Sequence, residues 1–186
     1  MHRRSFLSLA AGTVSAAALG QSPTPAPAPA AKEPSPLAHP VVAHQDRTGN
    51  LHRMPYSTLA FKVLTADTHG ALFAMEHNSL RKGGPPRHVH PHQDEWFYVL
   101  EGEYIAEVGD KRVTLHPGDS ALGPRGIPHV WACVGSGTGR LIITFTPAGK
   151  MEGLFNYMAQ NPTATLMDAK LFRDHDMELL GPPLTV

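Results

Sequence analysis

Short runs of β-branched, aromatic and aliphatic residues recur along most of the chain between residues 58 and 145. Turn-forming residues divide these runs at residues 82–86, 101–103, 109–110, 117–119 and 135–137. Runs of this length and spacing predict the strands of an antiparallel sandwich or barrel, so the predicted fold class is all-β. The predicted strands are residues 58–64, 71–76, 96–100, 104–108, 112–115, 129–134 and 141–145.

Helical periodicity begins only after Pro147. Apolar residues then follow the i, i+3, i+4, i+7 spacing of one helix face. They are Met151, Leu154, Phe155 and Met158. This stripe predicts a helix that packs against the barrel, and the alternative is a lid over the mouth of an internal cavity.

The rest of the C-terminal region carries weaker signals. Residues 165–174 are predicted to form a second short helix, with Thr163 or Thr165 as its N-cap. Residues 177–184 contain two adjacent prolines and are predicted to return to an extended form. The chain is therefore expected to end in a short helical segment followed by an extended tail.

Residues 1–20 have the pattern of an export signal. Arg3 and Arg4 precede an uncharged run rich in Ala, Leu, Ser and Val that ends at Gly20. This pattern predicts a signal peptide of the twin-arginine type and hence a periplasmic protein. The apolar run is shorter than the roughly 18 consecutive apolar residues of a membrane span, and a retained transmembrane anchor is the alternative.

The composition changes after the signal. Between Pro23 and Pro40 the chain is mostly proline and alanine, with few side chains to bury. Such segments adopt extended, solvated conformations, so residues 21–50 are predicted to be a linker that is disordered as far as Pro40. Residues 51–186 are predicted to form one domain, because about 140 residues suffice for a single core.

The net charge limits the possible binding partners, and the cysteine content limits the possible disulfides. Without Arg3 and Arg4 of the signal, 14 basic side chains face 16 acidic ones, a net charge of about −2 with neutral histidines. This balance predicts neither nucleic acid nor a membrane as a partner once the signal is removed, and favours a small-molecule substrate. The single cysteine, Cys133, excludes an intramolecular disulfide and is predicted to be a buried apolar residue. A nucleophile or a fifth metal ligand is the alternative.

Four residues have the chemistry of a metal site. His88 and His90 alternate along a predicted strand, so both imidazoles project to one side. A hairpin through residues 91–94 would bring Glu95 beside them, and closure of the sheet would bring His129 from a distant strand. Three imidazoles and a carboxylate suit one divalent transition metal, namely Fe, Mn, Co, Ni, Cu or Zn.

Two other interpretations of these histidines stay open. His90 and His92 have the same alternate spacing and can replace the first pair. The four side chains can also be hydrogen-bonded in the interior without an ion. The remaining histidines are given no site role; they are His39, His44, His52, His69, His77, His116 and His175.

The spacing around the first two histidines resembles the first motif of the cupin superfamily. In this chain the motif is His88, one residue, His90, four residues, Glu95, six residues and Gly102. The leading glycine is one position off, because Gly83 precedes His88 by four residues and not five. This departure does not touch a candidate ligand.

The second motif of the same family is matched further along the chain. It is Gly118, five residues, Pro124, one residue, Gly126, two residues and His129. Cys133 stands where the family pattern has asparagine. The resemblance to the family extends over about residues 55–150.

The resemblance implies a cupin-type jelly-roll β-barrel with a short C-terminal helical segment. It implies that the metal ligands are His88, His90, Glu95 and His129. Within the family, the residues around His88 to Gly102 and residues 146–149 look most like single-domain proteins similar to quercetin dioxygenases.

The activity implied by this likeness is metal-dependent oxidative cleavage of a small phenolic or enol-like substrate. Glu95 is the expected catalytic residue, because a carboxylate beside a cation can take a proton from a substrate hydroxyl. A non-oxidative lyase, isomerase or epimerase is one alternative. A non-catalytic module that binds a metal or a small ligand is the other, since one fold hosts many functions.

Strand phase also predicts the surroundings of the site. If Glu95 faces inward, Phe97 and Trp131 are expected to line the cavity. Trp96 and Tyr98 then face outward, and an apolar outer sheet face indicates an interface with a second copy of the chain. A homodimer is therefore expected.

Overall fold

The computed structural model describes residues 39–135 and 138–186. The predicted signal peptide and the predicted linker as far as residue 38 lie outside these residues. Contacts between residues divide the chain into two units, Met1–Ser35 and Pro36–Val186, and every element named below belongs to the second. In the described part of the chain, no helix has the length and apolar character needed to cross a membrane.

Eleven strands in the described residues form two antiparallel sheets. In spatial order, the first sheet contains β1 (His52–Met54), β2 (Ser57–Val63), β3 (Phe73–Ser79), β10 (Gly139–Thr146), β5 (Asp94–Glu101) and β8 (Ser120–Gly123). The second sheet contains β11 (Glu178–Pro183), β4 (Pro86–Val89), β9 (His129–Cys133), β6 (Tyr104–Val108) and β7 (Lys111–Leu115). The all-β jelly-roll prediction is confirmed.

Alternation along the strands builds the core of the first sheet. Every second residue of β10 is buried, as a strand with one face toward the core requires. Strand pairing places the inward residues of β3, β10 and β5 in three rows. These rows are Phe73–Phe145–Glu95, Met75–Ile143–Phe97 and His77–Leu141–Val99. The candidate ligand Glu95 therefore occupies the same face as the largest apolar side chains.

The connection between β4 and β5 differs from the predicted hairpin. The two strands belong to different sheets, because β4 lies between β11 and β9 whereas β5 lies between β10 and β8. Residues 90–93 therefore carry the chain across from one sheet to the other. His90 and Glu95 meet across the barrel interior and not as neighbours in one hairpin, so this part of the prediction was wrong.

Two helices follow the last strand of the first sheet. The helix α1 (Met151–Gln160) confirms the predicted helix and buries Met151, Leu154 and Met158. The helix α2 (Ala169–Asp174) begins four residues later than predicted.

The predicted N-cap of the second helix was also wrong. The carboxylate of Asp168 accepts hydrogen bonds from the backbone N–H groups of Lys170 and Leu171, so Asp168 caps α2. The Thr165 hydroxyl accepts instead from the N–H of Met167, within the loop before the helix. The carboxylate offers a stronger acceptor at the position where the chain turns into the helix.

The segment before β1 is bonded to the first sheet. The carboxylate of Asp46 accepts the backbone N–H of Phe61 at 2.5 Å, and the N–H of Arg47 donates to the Phe61 carbonyl at 2.8 Å. Both residues fall within residues 21–50, the segment that composition predicts to be a linker. Its last residues are thus anchored along β2.

Candidate metal centre

The four predicted ligands converge on one point between the two sheets. Nε2 of His129 and Nε2 of His90 lie 3.0 Å and 3.1 Å from Oε2 of Glu95. Nε2 of His88 lies 3.6 Å from the same oxygen. One donor atom from each residue lies within 4.8 Å of all the others, and the side chains are between 0% and 5% exposed.

Strand pairing explains the convergence. β4 and β9 are antiparallel neighbours, and their register sets His88 directly opposite His129. His90 follows the last residue of β4, and Glu95 is the second residue of β5 in the other sheet. Neither sheet contains the whole set, so the cluster exists only when the two sheets face each other.

Backbone carbonyls orient two of the three imidazoles. Nδ1 of His88 lies 2.7 Å from the carbonyl oxygen of Pro86, and Nδ1 of His129 lies 3.0 Å from that of Ile127. A carbonyl only accepts, so the proton of each neutral ring is on Nδ1. In the neutral ring Nε2 then presents a lone pair to the centre, the form in which an imidazole binds a metal, and in the protonated ring the same Nε2 donates to Glu95.

A side-chain amide orients the third imidazole. Nδ1 of His90 lies 3.2 Å from Oε1 of Gln93. The amide nitrogen of Gln93 donates to the carbonyls of Pro147 and Ala148 at 3.2 Å and 2.7 Å, which fixes its oxygen toward His90. A Cβ at Gly149 would lie 2.0 Å from that amide nitrogen, so only glycine fits there.

A second glycine, Gly123, leaves room for the imidazole of His129. Gly123 in β8 pairs with Glu95, and a Cβ on it would lie 2.9 Å from Cε1 and Nδ1 of His129. The imidazole therefore packs directly over the backbone of Gly123. The sequence analysis did not identify Gln93, Gly123 or Gly149, because their roles depend on contacts across the fold that no local pattern reveals.

The buried carboxylate is stabilised by its neighbours. Burial alone would raise the pKa of Glu95, but contacts with His129, His88 and His90 hold it well below its usual value. Burial alone would lower the pKa of His129, and its hydrogen bond with Glu95 raises it instead. Burial lowers the pKa of His88. The centre thus holds a buried carboxylate in its charged form beside three imidazole nitrogens.

The donor set fits a transition-metal ion. Nitrogen and oxygen ligands bind such ions at about 2.0 to 2.2 Å, which places neighbouring donors roughly 3 to 3.5 Å apart. The contacts of Glu95 with His90 and His129, at 3.1 Å and 3.0 Å, fall in this range. The alternative pair of His90 with His92 is excluded, because His92 is exposed and outside the cluster.

A known family model matches the part of the chain that contains the cluster. Residues 79–145 match the family model for the cupin domain, and this segment contains all four candidate ligands. No curated protein sequence matches the chain.

One solved structure shows the same fold, and two others are similar at lower scores. KdgF from Halomonas sp. has a TM-score of 0.50 and 21% sequence identity, over 59% of this chain and 93% of that chain. An RmlC-like cupin from Shewanella frigidimarina has a TM-score of 0.45 and 24% identity, over 53% and 84%. A predicted oxalate decarboxylase from Thermotoga maritima has a TM-score of 0.46 and 17% identity, over 49% and 80%. Residues 79–145 are thus similar to a cupin domain, and the fold is similar to that of KdgF.

The cluster of His88, His90, Glu95 and His129 borders a cavity of about 160 Å³. His88 and Glu95 form part of its wall. The apolar stripe of α1 forms another part, so this helix both packs on the barrel and covers the cavity. Trp131 lines the cavity as predicted.

Two further predictions about the barrel interior have different outcomes. Phe97 does not line the cavity, because it packs behind the cavity wall. Its ring lies 6.1 Å from the ring of His129 and 6.2 Å from the ring of Trp131. Cys133 is fully buried among apolar residues and lies outside the donor cluster. The prediction of a small buried residue at this position is confirmed.

We predict that Gln93→Leu lowers metal affinity about 10- to 100-fold, because it removes the group that orients His90. Competition with a chromophoric chelator for Zn²⁺ measures this change. His92→Ala, which alters an exposed histidine one residue away, is the control and is expected to bind Zn²⁺ like the unmodified protein. Unchanged affinity in Gln93→Leu would show that the amide has no part in metal binding.

Proposed function

We propose that this chain is an exported metal-binding cupin that acts as a metal-dependent dioxygenase on a small phenolic or enol-like substrate. Each chain would hold one divalent transition metal through His88, His90, Glu95 and His129. The observation that supports this function best is the position of the cluster in the wall of a covered, mostly apolar cavity. A substrate in that cavity would lie next to the cation and away from bulk water.

The chemistry of the cavity wall favours a neutral substrate. Glu95 is the only Asp, Glu, Lys or Arg side chain among the described residues of the wall. Five methionines contribute to the same wall; they are Met54, Met75, Met151, Met158 and Met177. Flexible thioether side chains adapt to flat apolar molecules. A substrate with several negative charges would find no basic partner in this wall.

Each part of the site has a role in this proposal. A bound cation would lower the pKa of a substrate hydroxyl and offer a position for a second small ligand. Glu95 would accept the hydroxyl proton on its carboxylate, next to the cation. His88, His90 and His129 would hold their positions through their Nδ1 hydrogen bonds. Helix α1 would exclude water from the reacting molecule.

We predict that metal-loaded protein consumes oxygen with a phenolic or enol-like substrate and that Glu95→Gln lowers kcat at least about 100-fold through loss of the base. An oxygen electrode measures the rate, with metal content determined for each variant. Asp94→Asn is the matched control, because Asp94 pairs with Arg125 on the surface and does not face the cluster.

Three outcomes of that experiment contradict the dioxygenase proposal. Equal turnover under nitrogen would indicate a non-oxidative lyase, isomerase or epimerase. Ligand-dependent thermal stabilisation without any product would indicate a binding module. Full activity in metal-loaded Glu95→Gln would exclude Glu95 as the base.

We also propose that the protein is exported to the periplasm by the twin-arginine route. The support is the Arg3-Arg4 pair ahead of an uncharged run. Replacement of both arginines by lysine is expected to leave the precursor in the cytoplasm, as measured by cell fractionation and immunoblotting. Periplasmic protein at the original level in this variant would contradict the route.

The outer face of the first sheet supports a homodimer. Trp96 is 37% exposed, its ring stacks on Tyr98 at 5.7 Å, and it pairs across strands with Leu122, which is 49% exposed. We predict that Leu122→Asp converts the dimer to a monomer in light scattering. Val113→Asp, at an exposed position in the other sheet, is the control and is expected to stay dimeric. A monomeric unmodified protein would contradict the proposal.

A further inference from the structure

A second polar region lies in the cavity, apart from the metal cluster. His77 is buried and lines the cavity, although the sequence analysis gave it no role. Strand pairing places His77 two inward rows beyond the row of Glu95. Four strand residues separate the two rows, which corresponds to about 13 Å along the strands.

Trp131 completes this region. Its ring and the His77 ring meet edge to face, with centroids 5.0 Å apart, and both residues belong to the cavity wall. Trp131 is 5% exposed, and its Nε1–H has no hydrogen-bond acceptor among the described residues. Buried donors in native proteins are almost always paired, so an unpaired indole N–H in a cavity wall points to an acceptor that comes from outside the chain.

His77 is able to share the same ligand. Its Nδ1 lies 3.4 Å from the Ser79 hydroxyl, at the long end of the hydrogen-bond range, so the ring is held only weakly by that neighbour. Burial lowers the pKa of His77 to about 4, and the ring is therefore neutral at pH 7. A neutral imidazole has one donor and one acceptor nitrogen.

We propose that His77 and Trp131 bind a hydroxyl group at the end of the substrate that lies away from the metal cluster. This inference rests on the proposed function and narrows its substrate class. The hydroxyl oxygen would accept from Nε1–H of Trp131 and form a second hydrogen bond with His77. Met75 and Ile143, in the row between, provide an apolar wall for the body of the molecule.

The substrate class is therefore an elongated phenol with a polar oxygen at each end. Along β9, Trp131 lies two residues, about 7 Å, from the candidate ligand His129, and His77 lies about 13 Å along β3 from the row of Glu95, a span that two linked rings match. One oxygen would face the cation, and the other would face His77 and Trp131. The two polar regions would fix both the position and the direction of the molecule.

Isothermal titration calorimetry on Zn²⁺-loaded full-length protein tests this inference without turnover, because Zn²⁺ has no redox chemistry. The probes are 4,4′-dihydroxybiphenyl and 4-hydroxybiphenyl, which differ only in the distal hydroxyl. The diol is expected to bind about tenfold more tightly, as one added hydrogen bond with buried partners allows. The preference is expected to fall to about one in Trp131→Phe and in His77→Phe.

Tyr56→Phe is the matched control, because it removes a different hydroxyl from the same cavity wall. The preference for the diol is expected to persist in this variant. Zn²⁺ content and circular dichroism identify any variant that fails to fold, and the comparison of the two probes on the unmodified protein needs no variant.

Three results would overturn the inference: equal affinity for the two probes, a preference retained in both Trp131→Phe and His77→Phe, or no binding of either probe. The proposed activity is tested separately. Loss of oxygen consumption with the diol preference intact would reject the dioxygenase and keep the hydroxyl-binding region. Oxygen consumption without any preference for the diol would reject the hydroxyl-binding region and keep the dioxygenase.

Discussion

The organisation of this barrel depends on one buried carboxylate. Glu95 is almost fully enclosed, and an isolated charge in a protein interior costs several kcal/mol. Three imidazoles surround its Oε2, and each of them has its Nδ1 engaged by an outer acceptor. That arrangement turns three Nε2 lone pairs and one negative charge toward a common centre. A divalent cation there would bind all four groups together.

The fold supplies this centre with both rigidity and a covered space. Pairing of β4 with β9 holds His88 against His129, and the facing sheet brings Glu95 from the opposite side. Close packing then fixes the imidazole rings, because Gly123 lies beneath the ring of His129 and the amide of Gln93 lies behind the ring of His90. The helices that follow the last strand of the first sheet cover the apolar cavity beside the cluster. In the proposed function, a cation and an apolar substrate would meet there with little water present.

Local patterns were sufficient to predict the strands with clear alternation and to single out the four side chains that cluster, because strand phase and motif spacing depend on neighbouring residues. They did not predict β1 and β8, which are three and four residues long and become strands through pairing with stronger neighbours. The crossing between sheets at residues 90–93 was mistaken for a hairpin, since a short polar connection has the same composition in both cases. The contact of His77 with Trp131 and the anchoring of Gln93 by Pro147 and Ala148 join residues distant in the sequence, so local patterns did not reveal them.

Elemental analysis of protein purified from its native compartment tests the central claim most directly. The account predicts about one transition-metal ion per chain, retained through gel filtration, and loss of that ion in His129→Ala. His116→Ala, which removes an exposed histidine outside the cluster, is expected to keep the metal. Metal-free native protein that stays folded, or an unchanged metal content in His129→Ala, would contradict a cation shared by the four side chains.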